Sequence, residues 1–338
     1  MAWIYALATF TVGALIVAWR WAGRRNEYLL SDGSTARRWR APNVEAEGER
    51  NRPPSKIDAG FYQVLNRYEV RPADVSVLII DLARRGFLQI EQIAAPDARG
   101  RGGEWSLSRT DTTKEQREQL KKFEHVLLQR LFSGEESVRV NALRRSFGPH
   151  FVAVQNEIYR YVVEAGLFRA EPLDIKVSWR RGASGLIVLS AFVWVLLRPI
   201  TEFSGAIALA VLAVGIATAV ISNFVGARTA AGSAAALEGG DFKRFLQFGT
   251  AGAEPIDADV FVDYLPYALV FGVAEQWAQN CVNSGAGPVA TDWLRMPAWT
   301  IAQKTEIPVE EFGAEVAGFH EHATRVIGSS KAQAQRRA

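Results

Sequence analysis

Cysteine is almost missing from this sequence: Cys281 stands alone in 338 residues. A lone thiol excludes an intramolecular disulfide and any cysteine-based metal cluster. The setting Ala278-Gln279-Asn280-Cys281 reads as a packed helix position rather than a nucleophile. Histidine is equally scarce, with four in the chain. His320 and His322 flank Glu321, but on a helix positions i and i+2 point about 200° apart, whereas the metalloprotease pattern needs i and i+4. A solvated helix face is the expected reading there. His125 and His150 have no ligand partners nearby in sequence. Gly100-Arg101-Gly102-Gly103 lacks the Lys-Ser/Thr of a phosphate-binding loop and lies between expected strands. There is no Gly-x-Ser-x-Gly and no defensible carboxylate pair. No catalytic, metal or cofactor residue is assigned, and an enzyme is not expected.

Three long stretches lack charge altogether: Ala2–Trp19, Gly182–Leu197 and Phe203–Gly226. A bilayer core about 30 Å thick takes roughly 17–25 apolar residues as a helix, so each is read as a transmembrane span. The middle one is short, with Trp179, Arg180 and Arg181 anchoring its start at the interface. Arg198-Pro199-Ile200-Thr201-Glu202 is short and polar, so the last two spans form a hairpin. A buried soluble hairpin is disfavoured, because Ile207–Ile221 is almost wholly Ala, Val, Leu, Ile and Gly. The spans carry no acidic or basic residue, which argues against an ion-translocating path.

Orientation follows from the basic residues. None precedes the first span, and Arg20, Arg24 and Arg25 follow it; Arg180 and Arg181 precede the second, and Arg228 follows the third. Lys/Arg bias places the N-terminus outside and the bulk of the chain in the cytoplasm, with Arg198 the one dissenting charge. The first span has no positive n-region, so a signal-anchor is expected rather than a cleaved signal peptide. The net charge of +3 is uneven. Residues 20–52 carry eight basic and five acidic side chains, and residues 227–338 nine and thirteen. Arg20, Arg24 and Arg25 thus lie where anionic lipid attracts each cation by about 1 kcal/mol, although topogenic charge alone accounts for them.

Between the spans, residues 21–54 read as a basic, Pro-rich linker ending in Arg52-Pro53-Pro54. Then 55–178 has the outline of a winged helix. Ala59–Tyr68 is a helix, Pro72 starts another, and Val75, Leu78, Ile79 and Leu82 give that second helix an apolar stripe ending at Gly86. Phe87–Glu91 and Trp105–Ser108 are strands flanking a flexible Pro96–Gly103 tip. A weaker echo follows: a long helix over Glu115–Phe132, a strand at Ser137–Val140 and a helix over Pro149–Glu164. DNA binding is disfavoured. The domain is near charge balance, and the helix in the recognition position would expose Asp74, Ser76, Val77 and Asp81. After the hairpin, 227–330 is expected as a helical cytoplasmic domain, with Arg228–Phe248 interrupted at Gly239-Gly240. A helix follows, starting around Pro266 and reaching Asn280, with Gly272 near a contact face. Ser284–Lys304 is a loop, Val309–Ile327 a last helix, and 331–338 a disordered basic tail.

Four strings matter jointly: Pro53-Pro54-Ser55-Lys56-Ile57-Asp58-Ala59-Gly60, Asp81-Leu82-Ala83-Arg84-Arg85-Gly86-Phe87-Leu88, Phe242-Lys243-Arg244-Phe245-Leu246, and Tyr264-Leu265-Pro266-Tyr267-Ala268-Leu269. With a hairpin between the second and third, the chain over roughly 50–300 resembles the C-terminal part of the YciQ-like predicted membrane proteins, a bacterial family of unknown function. The resemblance implies an inner-membrane location and no chemistry. Its members typically begin with a signal peptide and an extracytoplasmic β-rich domain, whereas this chain starts almost at the span. The expectation is therefore an α-helical membrane protein with an α+β cytoplasmic part: spans at 1–20 and 182–226, a winged-helix-like domain and a helical domain. Its expected role is a membrane-tethered interaction or assembly module whose partners are the bilayer and another protein. Contact residues are expected at Asp81, Arg84, Arg85, Tyr264, Pro266 and Tyr267, all of which ordinary fold maintenance would also explain. A membrane-bound transcription regulator and an envelope or lipid sensor are the alternatives.

Overall fold

The computed structural model describes residues 26–30, 32–38, 51–54, 57–95, 103–222, 228–249 and 256–337. The expected first span, Arg20, Arg24, Arg25, most of the linker and most of the Pro96–Gly103 tip lie outside them. The chain divides into two units: residues 1–45 with 162–234, and residues 46–161 with 235–338.

In the first unit, β1 (Asn26–Leu29) and β2 (Thr35–Arg38) form an antiparallel hairpin. Asp32 Oδ1 accepts from the Ser34 amide at 2.9 Å and closes its turn. Two long helices, numbered by their place in the whole chain, follow: α6 (Pro172–Leu197) and α7 (Ser204–Ile221). Val177–Leu197 has a mean hydropathy of 1.5 and Ser204–Ile221 of 2.3, yet only 11% and 17% of them is buried. A core helix would be mostly covered, so apolar composition with this exposure marks two candidate membrane-spanning helices. At about 1.5 Å per residue, α7 spans roughly the 30 Å of a hydrocarbon core. The two pack closely at Gly215, where an added Cβ would lie 3.2 Å from the Ile187 nitrogen and 3.3 Å from the Ala183 oxygen.

The second unit starts with α1 (Ala59–Arg67) and α2 (Pro72–Arg84). The Arg71 amide donates to Asp74 Oδ2 at 2.7 Å, which caps α2 at its proline start. Gly86, at φ 81°, ends it: the Gly86 and Phe87 amides reach back to the Ala83 and Leu82 carbonyls, a left-handed termination that favours glycine. The chain then enters β3 (Leu88–Ala94), which pairs antiparallel with β4 (Glu104–Arg109), as β4 does with β5 (Ser137–Arg139). Between these strands, α3 (Lys114–Glu118) is capped by Thr113 and α4 (Lys122–Phe132) by Glu124; the two caps divide the helix expected over Glu115–Phe132. Next, α5 (Leu143–Glu164) begins six residues ahead of the expected Pro149. Phe147 and Phe151, both fully buried, hold that proline inside a packed helix.

The remaining elements pack onto this frame. They are α8 (Ala230–Phe248), α9 (Ala258–Phe271), α10 (Ala274–Asn283), β6 (Leu294–Arg295), α11 (Pro297–Ile301) and α12 (Val309–Arg337). β6 and α11 lie in the segment expected as loop, and β6 pairs in parallel with β3, giving the sheet order β5-β4-β3-β6. α8 is continuous through Gly239-Gly240, because Gly239 faces the Tyr62 ring and the missing side chain is filled by an aromatic. Pro266 sits inside α9 rather than at a helix start. Gly272, at φ 68°, ends α9 and meets no neighbouring helix. Residues 331–337, expected as a tail, extend α12: Lys331 Nζ lies 4.8 Å from the Phe151 ring and 3.7 Å from Glu69.

The core runs through α2, which packs against α1, α9 and α12. Asp74, Ser76 and Val77, expected on its open face, are at most 1% exposed, and Asp81 is half-buried.

Candidate functional site

Asp81, Arg84 and Arg85 occupy the last turn of α2, where i,i+3 and i,i+4 spacing brings both guanidiniums to one carboxylate. Arg84 Nη2 donates to Asp81 Oδ1 at 2.9 Å, and its Nη1 pairs with Asp263 on α9. Arg85 Nη1 donates to Glu124 Oε1 at 2.5 Å and lies 3.4 Å from Asp81 Oδ2. The result is an alternating row: Asp263, Arg84, Asp81, Arg85, Glu124. Glu124 is 1% exposed, and its other oxygen accepts from the Lys121 amide at 2.7 Å. Lys121 in turn pairs with Asp58 through its ammonium. Burial works against the charge on Arg84, Arg85 and Lys121, yet their carboxylate partners raise all three pKa values above the ordinary ones.

Next to Asp58, the Ile57 carbonyl accepts a 2.8 Å bond from the Tyr267 hydroxyl. Tyr267 and Tyr264 both meet the Phe242 ring edge-on, at 5.5 and 5.1 Å. Tyr264 also stacks on Trp277 at 5.8 Å, and Pro266 is buried. Burial pushes both tyrosine hydroxyls up, with Asp58 and Asp81 adding to the effect at Tyr267 and Asp263 at Tyr264. Both phenols are therefore held further from proton exchange near neutral pH.

All six expected contact residues thus converge, together with the Ile57-Asp58 and Phe242 strings, on one junction of the second unit. They meet there as a half-buried internal network, with exposures of 17%, 24% and 26% for the Asp81, Arg84 and Arg85 side chains. Sequence reasoning missed Glu124, Lys121 and Asp263. Only the capping spacing from Lys121 to Glu124 hinted at the first.

A cleft of about 440 Å³ opens beside this network. Phe87, which carries the Arg85 guanidinium 5.1 Å from its ring, is part of its floor. Arg109, Asp111, Arg117, His125 and Glu136 line its polar sides. Arg117 is held by the Thr112 carbonyl at 2.8 Å and its hydroxyl at 3.1 Å, and Arg109 sits 4.8 Å from the Phe132 ring. Both cations are thus positioned in advance rather than swinging freely.

The histidines depart from expectation. His320 Nδ1 lies 2.5 Å from the buried Ser76 hydroxyl, and Thr324 Oγ1 donates to the same oxygen at 3.3 Å. Burial lowers the His320 pKa to about 4. His322 Nε2 is 3.1 Å from Asn141 Oδ1. Neither belongs to a solvated helix face, because α12 lies over α2 at His320 and over the turn at Asn141 at His322. Among the described residues, no group of three or more His, Cys, Asp or Glu side chains is placed to hold a metal ion.

The family described as predicted membrane protein (DUF2207), C-terminal domain, matches residues 47–280. The chain belongs to this family. The match takes in the four strings that build the junction, both candidate spanning helices and the cleft. No curated protein and no solved structure matches the chain. Membership makes this a predicted membrane protein of unknown function.

Proposed function

We propose that this DUF2207 chain is a multi-pass inner-membrane protein that serves as a membrane-tethered interaction or assembly module, without catalysis of its own. In this reading Ala2–Trp19 is a third span with its N-terminus outside, and the bulk of the chain is cytoplasmic. The order α1, α2, β3, loop, β4 is that of a winged helix, with residues 235–330 of the helical domain 227–330 folded onto it. The ion-pair network holds this assembly rigid. The partner binds the cleft at Phe87, Arg109 and Arg117.

The observation that carries the reading is the cleft itself: two pre-positioned arginines, Asp111 and Glu136 as opposing charges, and the apolar side chains of Phe87, Leu120 and Leu128 among its lining. Such a site suits a peptide segment of mixed charge with an apolar anchor. The regulator alternative is less favoured, because the helix that would read bases is covered by α9 and α12.

The test is a photo-crosslinking residue at Thr112, Arg117 or Gln129 of the full-length protein in living cells. One protein adduct recurring at all three positions, and lost on Arg117→Glu, supports the module. Duplex DNA recovered in place of protein would establish the regulator reading, and adducts only to phospholipid would establish the sensor reading.

A further inference from the structure

Charge is arranged in two opposite ways in the second unit. At the junction, Arg84 and Arg85 each meet a carboxylate. In the cleft, Arg109, Asp111, Arg117 and Glu136 line one cavity of about 440 Å³, yet none of the four is in an ion pair among the described residues. Local bonds hold the guanidiniums away from the cleft's own carboxylates. Arg117 is turned to Thr112, its Nη2 donating to the carbonyl and its Nε to the hydroxyl. Arg109 lies over the Phe132 ring, and its Nη2 reaches the Leu128 carbonyl at 3.4 Å. Nη1 of either arginine makes no hydrogen bond among the described residues, so each keeps two N–H donors for a group from outside the fold.

A second observation, independent of the arginines, comes from the residue after Arg109. The Thr110 hydroxyl oxygen is buried and has no hydrogen-bond partner among the described residues. Leaving a buried hydroxyl unpaired costs stability, and native folds rarely do so without a reason. Thr110 lines this same cleft, and a staggered step of its χ1 is enough to present the hydroxyl there.

Spare guanidinium donors beside a hydroxyl suit an oxyanion. Charge balance selects which kind. Asp111 and Glu136 already offset the two arginines within the cleft, so a doubly charged phosphate meets more repulsion than a singly charged carboxylate. Phe87, Leu120 and Leu128 give that carboxylate an apolar neighbour to be carried on.

We infer that the partner's anchor in this cleft is a carboxylate next to an apolar side chain, held by the spare N–H groups of Arg109 and Arg117 and by the Thr110 hydroxyl. This rests on the reading of the cleft as the partner's site. A peptide C-terminus and an acidic side chain present the same group to the guanidiniums, and the probes below separate them.

The test is saturation-transfer NMR on the full-length protein in detergent. N-acetyl-leucine stands for a chain end, N-acetyl-glutamyl-leucinamide for an acidic side chain, and N-acetyl-leucinamide and inorganic phosphate are the controls. At least one carboxylate probe should bind tenfold or more tightly than the uncharged amide, and the tighter of the two names the source. Arg117→Met should weaken that binding at least tenfold. Thr110→Val should weaken it at least threefold while raising the thermal midpoint of the free protein, a pairing that a merely structural threonine would not give. Equal binding of acid and amide, or phosphate binding more tightly than both carboxylates, would overturn the inference; a lowered midpoint in Thr110→Val would show the hydroxyl bonded within the fold and remove it from the site. The crosslinking experiment keeps the two readings apart. A recurring protein adduct without carboxylate selectivity refutes this inference and leaves the partner site intact, whereas absence of any protein adduct refutes the partner reading on which it rests.

Discussion

Arg85 is the residue whose loss should destabilise the second unit most for its size. Its partner Glu124 is 1% exposed and receives the guanidinium at 2.5 Å. In Arg85→Ala the carboxylate stays buried, keeps only the Lys121 amide, and loses its counter-ion. Breaking a buried pair by removing one partner costs about 3–5 kcal/mol. Arg85 is itself about a quarter exposed at 26%, and water entering the vacated space offsets part of this, so about 3 kcal/mol is the working figure. Glu124→Gln removes the charge but keeps an oxygen for the Lys121 amide, and Arg85 retains Asp81; it should cost about 1–1.5 kcal/mol. The assay is built into the chain. Cys281 is its one cysteine, fully buried, and burial pushes its thiol pKa up to about 12. A fluorogenic maleimide therefore reports unfolding of the full-length protein in detergent as a rise in signal with temperature. For domains of this size each kcal/mol moves the midpoint by about 2–4 °C. Arg85→Ala should lower it by roughly 6–12 °C and Glu124→Gln by under about 6 °C. An Arg85→Ala shift no larger than that of Glu124→Gln would refute the reasoning, because the stranded charge would then carry no penalty.

The same assay checks three further expectations. Gly239→Ala places a methyl in the Tyr62 ring, whereas at Gly240 the nearest atom is the Tyr62 hydroxyl at 3.9 Å. The first should destabilise by about 1–3 kcal/mol and the second should stabilise by up to about 1 kcal/mol through helix propensity. Tyr267→Phe strands the Ile57 carbonyl and should cost about 1 kcal/mol; Asp263→Ala, at a side chain 58% exposed, should cost less than about 1 kcal/mol. The pH profile has two opposed contributions. His320, lowered by burial to about 4, stabilises above its ordinary value and loses that stabilisation as pH falls from 6.5 toward 4. Asp74, raised by burial to about 6, destabilises at neutral pH and gives that penalty back as pH falls from 6 toward 3.8. Asp74→Asn should therefore unfold at higher temperature than wild type at pH 8, with the advantage gone by about pH 4 and a steeper acid loss in between. Parallel pH profiles for the two proteins would contradict this assignment.

The elements readable in advance were those whose signal is local. The stripe Val75, Leu78, Ile79, Leu82 followed by Gly86 specified α2 and its end. The alternation through Leu88 and Ile90 marked β3, and the uncharged runs marked α6 and α7. What escaped was decided by contacts distant in sequence. Pro149 and Gly239-Gly240 read as breaks, but Phe147, Phe151 and Tyr62 hold those helices straight through them. His320 looked solvated because nothing local indicates that α12 covers α2 over 240 residues away. The six contact residues were found as strings, yet their ion-pair partners Glu124 and Asp263 come from other elements, and pairing across elements leaves no periodic trace.

The two-residue strand β6 has a consequence for how this protein is made. Ile90 of β3 pairs with Leu294, 204 residues later, and both candidate spanning helices are synthesised between them. At roughly 5–20 residues per second, a nascent chain holds that side of β3, and the apolar faces of α2 that α9 and α12 will seal, uncovered for about 10–40 s. Both candidate spanning helices leave the ribosome within that interval. The second unit is thus finished last, and its apolar surfaces stay open until the chain beyond both candidate spanning helices has been made.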